Sequence, residues 1–439
     1  MRIRPLALSS VSAELATVRP AAASSREIAD VVSGLLADVR ARGDAAVVAA
    51  TRRFDWPGAS IDALRVVQAE FEAAYGDVSP KLRQALALTR DNCAFFHRHE
   101  LVPDWEDVGA QGQKLGIRRL PVARAGLYVP GGLGSYASTV IMNSVPAQVA
   151  GVQELLICTP ADREGRVNPS VLTAAHLMGI RMVFRVGGAQ AIAAMAFGTE
   201  TIPRVDVICG PGNAYVTEAK RQVYGAVGID SLAGPSEVLV VADSSARAEW
   251  VAADMLAQEE HGSGAQALLV SASEGFCLEV EAALEELRAA ARSEGRGGAT
   301  HSVDGDSHLF AYYPAEGEDF LTLAAAAVNA YAPEHLEIHL AEPREFLSRV
   351  KSAGAIFIGG RTPTSFGDYI AGSNHVLPTG GAARFSSPLS VDTFLRKSSY
   401  VEMSPEAVRA LTPHLAEVAD SEGFMFHRIS AELRAAAAD

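Results

Sequence analysis

No stretch of the 439-residue chain reaches the roughly 18 uninterrupted apolar residues that a membrane-spanning helix needs. Cysteine is scarce: Cys93, Cys158, Cys209 and Cys277 lie far apart and form no Cys-x-x-Cys pair. Reduced thiols in a reducing compartment fit that spacing better than a disulfide framework or a cysteine-only zinc site. A free cysteine is more often a small buried hydrophobe than a nucleophile. Basic residues are outnumbered, 38 Lys and Arg against 52 Asp and Glu, for a net charge of −14. This balance repels phosphate backbones and anionic membranes, so neither nucleic acid nor membrane is expected as a partner. Also missing is a G-x-G-x-x-G run after a strand, the fingerprint of an ordinary dinucleotide fold. At the start, Arg2 and Arg4 precede Pro5-Leu6-Ala7-Leu8, but Glu14 interrupts before a secretory apolar region develops. Residues 1–24 therefore read as a loosely structured N-terminal arm, and the expected location is cytoplasmic.

What is present is ordinary globular composition, 49% hydrophobic and 21% charged, in a chain long enough for two or more domains. From Ser25 to Arg40 the apolar residues Ile28, Val31, Val32, Leu35, Leu36 and Val39 recur at helical spacing. Ser24 or Ser25 can serve as N-cap, and Gly43 follows near the stop. From about 125, short apolar runs alternate with helical stretches. The runs are Gly126–Val129, Leu155–Cys158, Met182–Val186 and Val205–Ile208, with helices near 139–151, 168–179, 190–198 and 214–224. Strands resume at Val238–Val241, Ala267–Val270 and Ala355–Ile358. Such alternation predicts βαβ units with parallel sheets. The expected organisation is two α/β units, with 130–235 inserted into a discontinuous one made of 25–129 and 236–383. A helical C-terminal segment, 384–439, follows.

Three groups of residues have chemical potential. Pro130-Gly131-Gly132, Gly187-Gly188 and Gly210-Pro211-Gly212-Asn213 each follow a predicted strand, where open α/β sheets bind ligands, although such glycines also serve as plain turns. Gln258 and His261 stand three apart on a helix expected over Ala248 to His261. Asp368 and His427 are further N/O donors that would complete a mixed zinc shell, though a lone histidine is usually structural. In Ala332-Pro333-Glu334-His335-Leu336-Glu337, a carboxylate adjoins an imidazole suited to proton transfer. The plainer reading is a helix start after proline.

In order along the chain, these strings resemble the motifs of histidinol dehydrogenases. They are Gly126–Gly132, Val186–Ile192, Gly210–Asn213, Ala233–Glu237, Ala257–Gly262, Ala332–Glu337, Gly367–Tyr369, Asn374–Thr379, Ala383–Ser387 and Glu422-Gly423 with His427. The resemblance spans about 125 to 430. It implies a pair of incomplete Rossmann-like domains in an intertwined homodimer with shared active sites. By the same resemblance Gln258, His261, Asp368 and His427 are zinc ligands, one ion per subunit. Tyr128, Gln190 and Asn213 contact NAD; Ser236, His335, His375 and Glu422, together with the metal ligands, contact substrate. Glu334 and His335 form the acid–base pair, and Glu422 and His427 reach into the partner's site. The implied reaction is the oxidation of L-histidinol through the aldehyde to L-histidine with two NAD. Two features depart from the pattern. The stretch 296–325, with His301, His308 and Tyr312-Tyr313, resembles no family motif, and Phe424 and Phe426 flank His427 where a smaller residue is expected. The rivals are a same-scaffold relative that oxidises another polar alcohol, a zinc hydrolase using Glu334, and a non-catalytic nucleotide or metal binder.

Overall fold

The computed structural model describes residues 1–19, 26–131, 134, 136–262, 264–293 and 308–437. Ser24, Ser25, Gly132, His301 and the His308 side chain lie outside them. In chain order the strands are β1 (Arg2–Leu6), β2 (Trp105–Val108), β3 (Lys114–Pro121), β4 (Arg124–Tyr128), β5 (Glu154–Thr159), β6 (Met182–Arg185) and β7 (Val207–Cys209). Then come β8 (Gly228–Ile229), β9 (Glu237–Ala242), β10 (Gln266–Ser271), β11 (His308–Pro314), β12 (His335–His339), β13 (Ala355–Ile358) and β14 (Leu395–Glu402).

They form a six-stranded parallel sheet ordered β1-β11-β10-β9-β12-β13 and a five-stranded parallel sheet ordered β6-β5-β4-β7-β8. A three-stranded antiparallel sheet, β14-β3-β2, is separate. The expected α/β class with two parallel sheets is what the chain adopts. β9 and β10 are buried along their whole length, as near-continuous apolar strands covered on both faces must be.

Helices clothe both sheets. Val32, Leu36 and Val39 of the helix Arg26–Arg42 pack with Leu156, Phe184 and Ile192. On the opposite face Phe71, Leu86 and Cys93 pack with Leu127, Ile157 and Val183. The helices between 26 and 98 therefore cover the five-stranded sheet, whereas 25–129 was expected with 236–383. Periodicity marks a buried stripe but not the sheet that receives it.

Two further expectations are corrected. The N-terminal arm is ordered over its described part: β1 pairs with β11, and Val11, Leu15 and Val18 of the helix Val11–Val18 are buried. An edge strand tolerates Pro5 and shows little apolar pattern, since only Leu6 of β1 is buried. Its partner β11 comes from the stretch that resembled no motif. In the C-terminal segment, read as mostly helical, β14 precedes the helices Pro405–Ser421 and Met425–Ala436. His335 opens a strand rather than lying in a helix start; its alternation with Glu337 and His339 hides an apolar partner set, Leu336 and Ile338, on the other face.

The turn after β7 shows why one glycine is required. Gly210 has φ +116°, and a Cβ there would lie 2.0 Å from the Tyr128 carbonyl oxygen. Its N–H donates to Asp230 Oδ2 (2.7 Å), and its carbonyl accepts from buried Lys220 Nζ (3.0 Å), which also pairs with Asp230. Lys220→Met leaves Asp230 as an unpaired buried charge, so a loss of about 3–5 kcal/mol in urea unfolding is expected.

Candidate active site

Ser236 and Glu334 immediately precede β9 and β12, adjacent parallel strands with His335 opposite Val238. Both therefore stand at the N-terminal edge of the six-stranded sheet, where their groups meet. Glu334 Oε2 accepts from Ser236 Oγ (2.6 Å) and from the Glu237 N–H (3.0 Å), and it lies 3.5 Å from His335 Nδ1. His335 Nδ1 is 3.2 Å from the Glu237 carbonyl oxygen. A carbonyl can only accept, so Nδ1 carries a proton, and whenever the ring is neutral it is Nε2 that presents the lone pair. That Nε2 is buried, has no hydrogen-bond partner among the described residues, and faces Asp368 Oδ1 at 3.7 Å.

Asp368 lies near the end of the short helix Thr364–Tyr369. Its carbonyl accepts from His375 Nδ1 (2.9 Å), and His375 Nε2 is 3.4 Å from Thr139 Oγ1. Thr139 belongs to the helix Ala137–Ala150, which follows β4 at the C-terminal edge of the five-stranded sheet. The cluster thus bridges the N-terminal edge of one sheet and the C-terminal edge of the other. Sequence rules for open sheets point only to the second kind of edge.

The charges are interdependent. Burial alone would lower His335, but Glu334 and Asp368 outweigh it and raise the imidazole to about 9. Burial pushes Glu334 up, against His335 and its two donors. Asp368 is held below its ordinary value because His335, His375 and His261 overcome its burial. Desolvation lowers His375. It lowers His261 as well, and there His335 and His375 add their repulsion while Asp368 opposes both.

His261 thus shares the electrostatic neighbourhood of Asp368. It lies just beyond the helix Ala248–Glu259, which packs against Thr364–Tyr369. Gln258, in the last turn of that helix, is buried, and its amide Nε2 has no hydrogen-bond partner among the described residues. The structure therefore gathers Ser236, Glu334, His335, Asp368 and His375, with His261 within electrostatic reach of Asp368 and Gln258 three residues before it at the end of the adjoining helix. Thr139 joins them without having been foreseen, since a threonine inside an apolar helical run reads as core.

Tyr128, Gln190 and Asn213 form a second group at the strand ends of the five-stranded sheet. The Tyr128 hydroxyl accepts from the Gly188 N–H (3.0 Å). Gln190 Nε2 donates to Asp55 (3.1 Å), which also accepts from Gly187 N–H (3.0 Å). Both side chains are buried; Asn213 is exposed and caps the helix Ala214–Val223 through Tyr215 and Val216 N–H. Asp55 was not foreseen: it closes the helix Asp44–Phe54 as one more surface-type carboxylate in sequence, and only the fold turns it toward Gly187.

Glu422 and His427 stand apart from both groups. They are exposed on the hairpin formed by Pro405–Ser421 and Met425–Ala436, and the His427 ring lies against Phe424 at 5.1 Å. No residue of the last helix is buried, and Met425, Phe426 and Leu433 are open to solvent.

The profile of the histidinol dehydrogenase family matches residues 18–435. The chain belongs to the histidinol dehydrogenase family. It is 47% identical to a histidinol dehydrogenase of Synechococcus sp. over 397 residues, 90% of this chain and 89% of that one. Identity to the Prochlorococcus marinus histidinol dehydrogenase is also 47%, over 94% of this chain and 91% of the other. The crystal structure of a histidinol dehydrogenase from Elizabethkingia anophelis superposes with a TM-score of 0.90 at 33% identity, covering 99% and 98% of the two chains. The Ser236–Glu334–His335–Asp368–His375 cluster thus lies within the matched region of a histidinol dehydrogenase fold.

Proposed function

We propose that the protein oxidises L-histidinol through L-histidinaldehyde to L-histidine, the last steps of histidine biosynthesis, with two NAD per turnover and one zinc ion in each active site. The observation that carries this reading is the buried, unpartnered Nε2 of His335, tautomerically fixed by the Glu237 carbonyl and beside Asp368. Such an atom is placed to receive the hydroxyl proton of a bound alcohol. Glu334, held by Ser236 and the Glu237 N–H, draws the proton from the water that adds to the aldehyde. Ser236, His375 and Glu422 are the further substrate contacts.

Gln258, His261 and Asp368 would hold the zinc, with His427 supplied by a second copy of the chain. A mixed N/O set suits zinc, and the buried Gln258 amide lacking a partner fits a ligand role, because an amide flip presents either oxygen or nitrogen. Bound there, the ion anchors the imidazole and amine of the substrate and takes no part in redox, its d¹⁰ shell being closed. NAD supplies the hydride acceptor, and we place it along the ends of β4, β6 and β7, where Tyr128, Gln190 and Asn213 stand. The four cysteines are free and buried, in keeping with a cytoplasmic home.

Incubating the zinc-loaded protein with L-histidinol and excess NAD tests the proposal: two NADH per substrate are expected, and none under saturating conditions ends it. The shared-site dimer has its own test. Mixed and reassorted, the inactive variants His335→Ala and His427→Ala are expected to regain roughly a quarter of full activity. Half the dimers are then mixed, and each has one intact site of two. No recovery despite subunit exchange would place His427 outside the partner's site.

A further inference from the structure

We propose that Asp254, Glu337 and His339 form a second divalent-cation site, of the zinc or manganese type, behind the helix that presents Asp368. His335, Glu337 and His339 alternate along β12 and so share one face, which the helix Ala248–Glu259 covers and from which Asp254 approaches. His339 lies four residues beyond His335, on the order of 13 Å along a strand, so this is a separate place from the cluster described above.

Three observations support the site. The first is burial without hydrogen bonds: His339 is 2% exposed and Glu337 0%, yet among the described residues both ring nitrogens of His339 and Oε2 of Glu337 have no hydrogen-bond partner. Polar atoms so deeply buried are normally satisfied. The second is spacing. His339 Nε2 lies 3.3 Å from Glu337 Oε2 and 3.7 Å from Asp254 Oδ2, and one ligand atom from each residue falls within 4.8 Å of the others. Hydrogen bonds between such atoms run about 2.7–3.2 Å, whereas ligands about 2.0–2.1 Å from a tetrahedral ion stand roughly 3.3 Å apart. The third is orientation. Glu337 Oε1 accepts from the Thr364 N–H (2.7 Å) and Oγ1 (2.6 Å), which aims Oε2 at His339 and Asp254, as outer partners of metal ligands do.

Neutral imidazole with two carboxylates is a donor set for zinc or manganese rather than for an oxygen-only calcium site. Burial and then the charge of Glu337 push Asp254 up to about 9, and a divalent ion between the carboxylates relieves that repulsion. Thr364 begins the helix that ends with Asp368 and Tyr369, so an ion on Glu337 steadies the element that carries Asp368. It is a positioning site with no contact to substrate.

The test counts metal on the intact protein, saturated with Zn²⁺ or Mn²⁺ in separate samples, dialysed, and analysed for ions per chain. The His261→Ala variant removes the proposed catalytic ion and is expected to keep one. Adding His339→Gln is expected to remove that one too, and His339→Gln alone is expected to bind one fewer than the unaltered chain. Asp254→Asn, nearly isosteric, gives the same reading should the histidine variant fail to fold. With Co²⁺ as probe, the visible absorption that survives in His261→Ala is expected to vanish in the double variant. Folded His339→Gln and Asp254→Asn proteins with an unchanged ion count overturn the proposal. So does a His261→Ala protein that retains no ion.

Discussion

Replacing His335 with alanine is expected to lower kcat for histidinol by roughly 10²–10⁴-fold, the usual contribution of a positioned base. Its Nε2 is an acceptor with no partner, and its Nδ1 is committed to the Glu237 carbonyl, so no other nitrogen in the cluster is placed as well. His375 uses Nδ1 on the Asp368 carbonyl and turns Nε2 toward Thr139, which occupies both of its nitrogens. The pH profile separates a base from a packing residue. A base works only when neutral, so kcat rises with pH through the His335 pKa. In the protein alone, Glu334 and Asp368 overcome the effect of burial and set that value at about 9. A cation on Asp368 cancels part of its pull, so zinc is expected to move the value down toward the ordinary 6.5. Histidine NMR with and without zinc reads the shift, and a kcat unaffected by His335→Ala removes the assignment.

Glu334→Gln is expected to divide the two oxidations. The amide keeps the shape and still accepts from Ser236 Oγ, but it takes no proton from water, so aldehyde oxidation slows by roughly 10²–10⁴-fold while the first hydride step continues. Rapid mixing would then show close to one NADH per site in place of two. A second readout follows from the charge. After burial, Glu334 is the strongest influence on His335 and acts to raise it, so the variant is expected to titrate lower at His335. Two NADH at an unchanged rate would show that another group activates the water.

The strands β4 to β7 and the helices between them and after β7 were legible because their apolar runs or apolar faces are contiguous and bounded by glycine or proline, whereas the two-residue β8 gave no such signal. The mostly polar strands were not. β1, β3 and β14 show mainly exposed or half-buried residues, and they exist because a partner strand supplies hydrogen bonds. β12 was hidden for the opposite reason: all five of its residues are buried, but His335, Glu337 and His339 break the apolar run. Motif resemblance named Glu334, His335, Asp368 and His375 as site residues, and the fold brings them together. Thr139 and Asp55 were beyond reach, since their neighbours lie 236 and 132 residues away in the chain. His427 sits on a solvent-facing hairpin, and its proposed role depends on a second chain.

The pairing pattern dictates an order of assembly. Arg2 pairs with Phe310, and Lys114 with Glu402, whereas the strands of the five-stranded sheet all fall between 124 and 229. As the polypeptide leaves the ribosome, that sheet can close first. β1 and the edge of β3 that β2 leaves open meanwhile wait for segments made near the end of translation. Long-range pairings of this kind fold slowly and expose strand edges while they wait. Chaperone demand should therefore be greatest between completion of residue 229 and emergence of residue 402, and a circular permutant that begins at β9 would shorten the wait of β1.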